Sequence, residues 1–269
     1  MPQQRNSEEA MITPDFIDKP EDMINQIVLG DCLETMKRMP DGFVDLTVTS
    51  PPYLNLREYS SWNTYDDYLK DVGKWLSELY RVTKEGRHLA WNIQDNLPEP
   101  SKGHRQYHAL MPDTIKIAQQ AGFEWEVNIV WNKQNSTQLM MGSYPYPPTM
   151  IYAQMTESIC IFRKSGKADL SRKSDDSKLS REEWGSMIRN VWNITPQTKS
   201  LHSAPFPKEI PSRLIKLHSF EGDTVYDPFI GSGTTAVAAR SLNRNYIGSE
   251  ISREYCDIAE DRLRQETLL

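Results

Sequence analysis

The stretch Thr224-Val225-Tyr226-Asp227-Pro228-Phe229-Ile230-Gly231-Ser232-Gly233-Thr234-Thr235-Ala236-Val237-Ala238-Ala239-Arg240 runs from a strand-like segment, through a glycine-bearing turn, into a helical pattern. Glycines between a strand and a helix let the backbone approach a ligand, and the helix N-terminus offers free N–H groups. The turn lacks the lysine of a phosphate-binding loop, and its spacing is not Gly-x-Gly-x-x-Gly. A nucleoside-bearing cofactor other than a nucleoside triphosphate or a dinucleotide fits it better. Further on, Tyr246-Ile247-Gly248-Ser249-Glu250 reads as the next strand. It ends in a carboxylate placed to accept from ribose hydroxyls.

A second junction lies upstream. Phe43-Val44-Asp45-Leu46-Thr47-Val48 reads as a buried strand that leaves its sheet at Ser50. Pro51 and Pro52 end it, because neither can donate a ladder hydrogen bond. The loop that results sits at a strand's C-terminal end, where open α/β sheets bind ligands. Ser50 offers a small acceptor, Pro51 a conformationally fixed carbonyl, and Tyr53 a ring. A planar base bearing an exocyclic amine needs such a set, acceptors for the amine and a surface to stack on. The tetrapeptide alone also fits an ordinary turn.

Between and beyond these junctions, strands alternate with helices. Tyr68, Leu69, Val72, Trp75, Leu76, Leu79 and Val82 recur at helical spacing, with Gly86 expected to close the helix. His88–Ile93, Trp125–Trp131, Ser158–Phe162 and Val191–Ile194 read as strands, and Tyr255–Leu263 as the closing helix. The alternation implies a mainly parallel sheet with helices on both faces. Residues 1–23 are polar and proline-bearing and read as an N-terminal arm. Residues 24–269 read as a single domain with candidate target-recognition segments at 134–150 and 164–190.

The chain has 269 residues, 38% of them hydrophobic, enough for one sizeable α/β core. No apolar run reaches the length of a membrane span, and the first nine residues carry no apolar leader, so a cytoplasmic enzyme without a membrane partner is expected. Cys32, Cys160 and Cys256 are far apart and show no metal-ligand spacing, so no metal is expected. The net charge of −6 does not favour a nucleic-acid partner. Charge distribution matters more than the sum, and Arg163 to Arg181 is a basic stretch in which Arg172 and Lys173 are candidate backbone contacts. A solvated loop is the competing reading.

The motifs Gly30-Asp31-Cys32, Thr49 to Tyr53, His202-Ser203-Ala204-Pro205-Phe206-Pro207, Asp227 to Thr235 and Gly248-Ser249-Glu250 stand in one order over nearly the whole chain. In that order the chain resembles the β-class amino-methyltransferases of DNA, restriction-modification enzymes that methylate cytosine N4 or adenine N6 with S-adenosylmethionine. The resemblance implies a Rossmann-like α/β methyltransferase fold, a seven-stranded sheet with one reversed strand near the edge. It implies a catalytic set of Ser50, Pro51, Pro52 and Tyr53. It implies S-adenosylmethionine held by Asp31, Phe206, Lys208, Asp227, Phe229, Gly231, Ser232, Gly233, Thr234 and Glu250. Double-stranded DNA is the implied partner, with Arg57, Tyr144 and Tyr146 as further candidate contacts. A serine at position 50 leans toward cytosine N4, where an aspartate leans toward adenine N6. An adenine N6 enzyme, an RNA or protein-amide methyltransferase and a non-catalytic DNA-binding module are the alternatives. A cognate restriction endonuclease and a homodimer stay open.

Overall fold

The structure, a computed structural model, describes residues 12–54, 62–95, 97–100, 105–133, 154–196 and 207–266. In chain order its elements are β1 (Gln26–Leu29), α1 (Cys32–Lys37), β2 (Val44–Thr49), α2 (Tyr65–Val82), β3 (Thr83–Ile93), β4 (Leu97–Pro100), β5 (Arg105–His108), α3 (Leu110–Ala121), β6 (Glu124–Asn132), β7 (Thr156–Arg163), α4 (Arg181–Met187), β8 (Val191–Asn193), α5 (Glu209–His218), β9 (Thr224–Asp227), α6 (Thr234–Ser241), β10 (Asn245–Glu250) and α7 (Arg253–Glu266).

The main sheet has eight strands in the order β1-β10-β9-β2-β3-β7-β6-β8. Every neighbouring pair is parallel except the two made by β7, which runs antiparallel to β3 and to β6. The expected single reversed strand is therefore β7. The eighth strand is β8, three residues at the edge paired with Val130–Asn132. A two-residue alternation sends side chains to opposite faces of each strand. Leu46 and Val48 of β2, Ala90 of β3, and Ile159 and Ile161 of β7 join α5, α6 and α7 in one core. Leu89, Trp91, Cys160 and Phe162 join α1, α2 and α3 in the other, with Val44, which the irregularity between Val44 and Leu46 turns to that face.

The connections out of β2 and β9 decide where a ligand can bind. These strands are neighbours, but α2 follows β2 onto one face of the sheet and α6 follows β9 onto the other. The chain parts between them, which opens a crevice at the strands' C-terminal ends. Ser50 and the Gly231 turn stand on its two sides.

Three expectations need correction. Residues 12–23 are not a free arm: Ile17 and Met23 are buried in the core beside α1 and α2, and the Leu29 N–H donates to the Ile12 carbonyl at 2.9 Å. Gly86 does not close α2. The helix ends at Val82, where the Thr83 hydroxyl donates to the Leu79 carbonyl at 2.6 Å, and the chain enters β3 directly. Gly86 lies within β3 at φ +70°, where a Cβ would collide with the Ala168 backbone.

The third correction concerns residues 164–190. Because β7 is reversed, it delivers the chain at Lys164 to the N-terminal edge of the parallel strands, opposite the crevice. The Lys164 ammonium donates to the Tyr80 and Thr83 carbonyls at 2.7 and 2.8 Å. The Arg172 guanidinium donates to the Gly222 carbonyl at 2.7 Å and pairs with Asp223 at 3.3 Å. Arg87, buried, bridges Asp223 at 3.0 Å and Asp45 at 3.5 Å, so a charged cluster ties the starts of β2, β3 and β9 together. Arg172 serves that cluster. Arg172 and Lys173 as DNA contacts do not agree with a placement of residues 164–178 at the far edge from Ser50, whereas by Asn190, whose carbonyl accepts from the Val130 N–H at 2.8 Å, the segment 164–190 has returned to the crevice end of the sheet.

Removing one partner of a buried ion pair leaves the other charge uncompensated. Asp223→Ala is accordingly expected to lower unfolding free energy by about 3 kcal/mol in urea denaturation. A loss below about 1 kcal/mol, the range of exposed pairs, would show the cluster to be incidental.

Candidate active site

The crevice is built where β2 and β9 end side by side. The Thr49 hydroxyl, last in β2, donates to Asp227 Oδ1 at 2.6 Å. The other oxygen of Asp227 accepts from the Thr235 hydroxyl at 2.7 Å, and Oδ1 also accepts from the Phe229 N–H at 3.0 Å. Asp227 is 2% exposed. Burial pushes its carboxyl up to about 6, against the pull of these three donors. The carboxylate shapes the turn and ties it to the end of β2.

The turn itself fits a ligand at one position and the protein at another. Gly231 has φ +49°, and a Cβ there would meet only the Phe229 carbonyl, at 4.0 Å. That side of the backbone is open, as a cofactor cradle requires. Gly233, at φ +82°, is closed instead, since its Cβ would stand 2.8 Å from that of Ala259 on α7. Ser232 and Thr234 face α7 as well. Arg262 donates to the Ser232 hydroxyl at 3.0 Å, the Ser232 carbonyl at 2.5 Å and the Thr234 hydroxyl at 3.1 Å. These bonds anchor the turn on α7. Phe229 packs edge-on against Trp75, ring centroids 4.8 Å apart.

Glu250 ends β10 beside this turn. Its two oxygens accept from the Gly231 and Ser252 N–H groups at 3.0 and 2.9 Å. Asp31, exposed at the end of β1, caps α1 by accepting from the Leu33 N–H at 2.7 Å. Lys208 stands at the N-terminus of α5. Phe206, Arg57, Tyr144 and Tyr146 lie outside the described residues.

On the other side of the crevice, Ser50 follows β2 as expected. Its Oγ lies 3.5 Å from the Tyr53 hydroxyl and 3.4 Å from Asn92 Nδ2 on β3. Burial holds the Tyr53 phenol well above its ordinary range, so it stays protonated. Asn92 donates in turn to Glu157 Oε2 at 2.7 Å, and the Lys133 ammonium bonds Oε1 of the same carboxylate. Glu157 and Asn92 are buried. Asn92, Lys133 and Glu157 escaped the sequence reading because they come from three different parts of the sheet, β3, the end of β6 and β7. Their only local signal is polarity at strand ends within otherwise apolar runs.

Among the described residues no group of His, Cys, Asp and Glu is arranged to hold a metal, and no helix is long and apolar enough to cross a membrane.

Residues 44–261 match the family model N6_N4_Mtase, described as DNA methylase. The chain is 33% identical over 275 residues to the orphan methyltransferase M.BamHII of Bacillus amyloliquefaciens, across 90% of this chain and 92% of that one. It is 33% identical over 252 residues to the type II beta methyltransferase M.BslI of a Bacillus species, across 88% of this chain but 27% of that longer protein. A DNA modification methylase, so named, of Thermus thermophilus, solved with S-adenosyl-L-methionine, superposes with a TM-score of 0.74 at 29% identity over 88% of this chain and 92% of that one. The cytosine-N4-specific PvuII DNA methyltransferase superposes with a TM-score of 0.66 at 19% identity over 88% and 85%, a likeness of fold.

Two expectations follow from the turn. Gly231→Ala is expected to weaken cofactor binding at least about tenfold with a stability loss of only about 1–2 kcal/mol, whereas Gly233→Ala loses that and an overpacking cost of about 1–3 kcal/mol more. Calorimetric titration and urea denaturation of both variants check the contrast; equal stability losses would contradict it. The second concerns pH. With its folded value near 6 and an unfolded value near 3.8, Asp227 holds a proton in the folded state that the unfolded chain has released. Its contribution to stability therefore falls as pH rises from about 4 to 6 and is flat above that. The stability of wild type relative to Asp227→Asn should fall over that window, and a relative stability that rises with pH would overturn the assignment.

Proposed function

We propose that this chain, which belongs to the N6/N4 DNA methylase family of β-class amino-methyltransferases, methylates the N4 amine of cytosine in duplex DNA with the base turned out of the helix. The observation that carries the choice of base is Ser50. It is a neutral hydroxyl at the position where the family's serine goes with cytosine and its aspartate with adenine.

The methyl donor is S-adenosylmethionine, which when bound supplies an electrophilic methyl on a sulfonium centre. The open backbone at Gly231 and the carboxylate of Glu250 would hold it, with Asp31 toward the base end of the nucleoside. The chain's own work is on the amine. An exocyclic amine is a poor nucleophile because its lone pair is delocalised into the ring. Accepting its hydrogens draws the nitrogen toward tetrahedral geometry and returns the lone pair to it. The Ser50 hydroxyl and the Pro51 carbonyl are those acceptors, preorganised where charge develops. The Tyr53 ring would stack on the base, an interaction worth about 1–3 kcal/mol. The crevice between β2 and β9 sets amine and methyl face to face, and position then supplies much of the rate.

DNA contacts are proposed for the segments that flank this edge. Lys133 and Gln154, the described residues on either side of 134–153, both stand at the crevice end of the sheet, where β6 stops and β7 starts. Tyr144 and Tyr146 belong to that segment, and Arg57 to the one that follows Leu54. Relatives named as type II and as orphan methyltransferases both match, so a partner nuclease does not follow from family membership.

Purified protein incubated with mixed-sequence DNA and S-adenosylmethionine, then digested to nucleosides, should yield N4-methylcytosine by mass spectrometry. N6-methyladenine instead would show that Ser50 does not dictate the base. Ser50→Ala should slow transfer by about 10²-fold with cofactor affinity unchanged, and full activity in that variant would remove Ser50 from the chemistry.

A further inference from the structure

Ser50 is a rotatable hydroxyl, and nothing in the Ser-Pro-Pro-Tyr loop itself fixes where its lone pairs point. It stands 3.5 Å from the Tyr53 hydroxyl and 3.4 Å from Asn92 Nδ2. Contacts of this length are loose, as those of unliganded active sites often are before substrate tightens them. Behind Asn92 the contacts shorten. Its Nδ2 reaches Glu157 Oε2 at 2.7 Å, and Lys133 bonds Oε1.

This chain of contacts has one consistent hydrogen-bond direction. A carboxylate can only accept, so Glu157 requires the NH2 side of the Asn92 amide. The same NH2 group faces Ser50, and its second hydrogen goes there. The arrangement has a cost: among the described residues, buried Asn92 Oδ1 has no hydrogen-bond partner. An unpartnered buried carbonyl is unfavourable by about 1–3 kcal/mol, and turning the amide over would set that carbonyl against the carboxylate. Glu157 thus holds Asn92 in the orientation that donates to Ser50. Lys133 balances the charge, so the carboxylate is tolerated within the sheet.

We infer that Asn92 is a positioning residue for Ser50, and that Glu157, paired with Lys133, sets which way its amide faces. A hydrogen donated by Asn92 occupies one Ser50 lone pair and pins the oxygen. With its own hydrogen directed to the Tyr53 hydroxyl, Ser50 keeps the other lone pair for the target amine. The inference rests on Ser50 as an acceptor for that amine and is indifferent to whether the amine belongs to cytosine or adenine.

The experiment is single-turnover methyl transfer to duplex DNA by wild type, Ser50→Ala, Glu157→Gln, Asn92→Ala and the Glu157→Gln/Asn92→Ala double variant. Cofactor and DNA affinities and melting temperatures are measured alongside. Glu157→Gln can present either end of its own amide to Asn92, so it frees the orientation while keeping the shape. It is expected to slow transfer about tenfold, the loss of one charge-assisted hydrogen bond, with both affinities within about twofold. Because Glu157 acts through Asn92, the double variant should be no slower than Asn92→Ala alone. Glu157→Gln at the wild-type rate, or losses that multiply in full in the double variant, would overturn the inference. If Asn92→Ala does not fold, Asn92→Ser serves in its place. Wild-type activity in Ser50→Ala would overturn the reading of the site and the inference with it. A slow Ser50→Ala beside a normal Glu157→Gln would overturn the positioning role alone.

Discussion

One hydrogen bond joins the two halves of this site, Thr49 Oγ1 to Asp227 Oδ1 at 2.6 Å. It crosses from the end of β2 to the end of β9, the pair of strands between which the chain parts to opposite faces of the sheet. Asp227 then passes the constraint on, to the Phe229 N–H and the Thr235 hydroxyl, and so to the entire glycine turn and the start of α6. The base-side loop and the cofactor-side turn are therefore not two motifs that happen to be near one another. They are fixed to one buried carboxylate. Keeping a carboxylate in that position is costly, which the rise of its carboxyl to about 6 records.

The opposite edge of the sheet shows why this end can be specialised. Arg87, Asp45, Asp223 and Arg172 bind the starts of β2, β3 and β9 into a buried charged cluster. The crevice edge carries loops, an open backbone at Gly231 and a buried amide with an unpartnered oxygen. Polar groups placed at such cost on a ligand-binding edge are expected where function constrains the fold.

Much of this was legible in the sequence because it is local. The order strand, glycine turn, helix marked the junction between β9 and α6, and Ser50-Pro51-Pro52-Tyr53 the loop that leaves β2. Two-residue alternation in β2, β3 and β7 and the helical stripe from Tyr68 to Val82 marked the core. What was not legible depends on tertiary placement. Arg262, on the closing helix, anchors Ser232 and Thr234 from about thirty residues away, a contact with no local signal. Arg172 looks like a DNA contact in a basic run, but the reversed course of β7 carries it to the far edge. Asn92, Lys133 and Glu157 each sit inconspicuously in separate parts of the chain, and only the sheet order brings them to Ser50.

The central claim is that Thr49 and Asp227 hold a base-side loop and a cofactor-side turn in register for methyl transfer. The most direct measurement is the single-turnover transfer rate of Thr49→Val, which keeps the side chain's shape and removes the donor, together with its separate affinities for S-adenosylmethionine and for DNA. The account predicts transfer slowed about tenfold, the loss of one charge-assisted hydrogen bond, with each ligand still bound to within about twofold. A wild-type rate in that variant would contradict it, because the two halves would then be aligned without the bond that joins them.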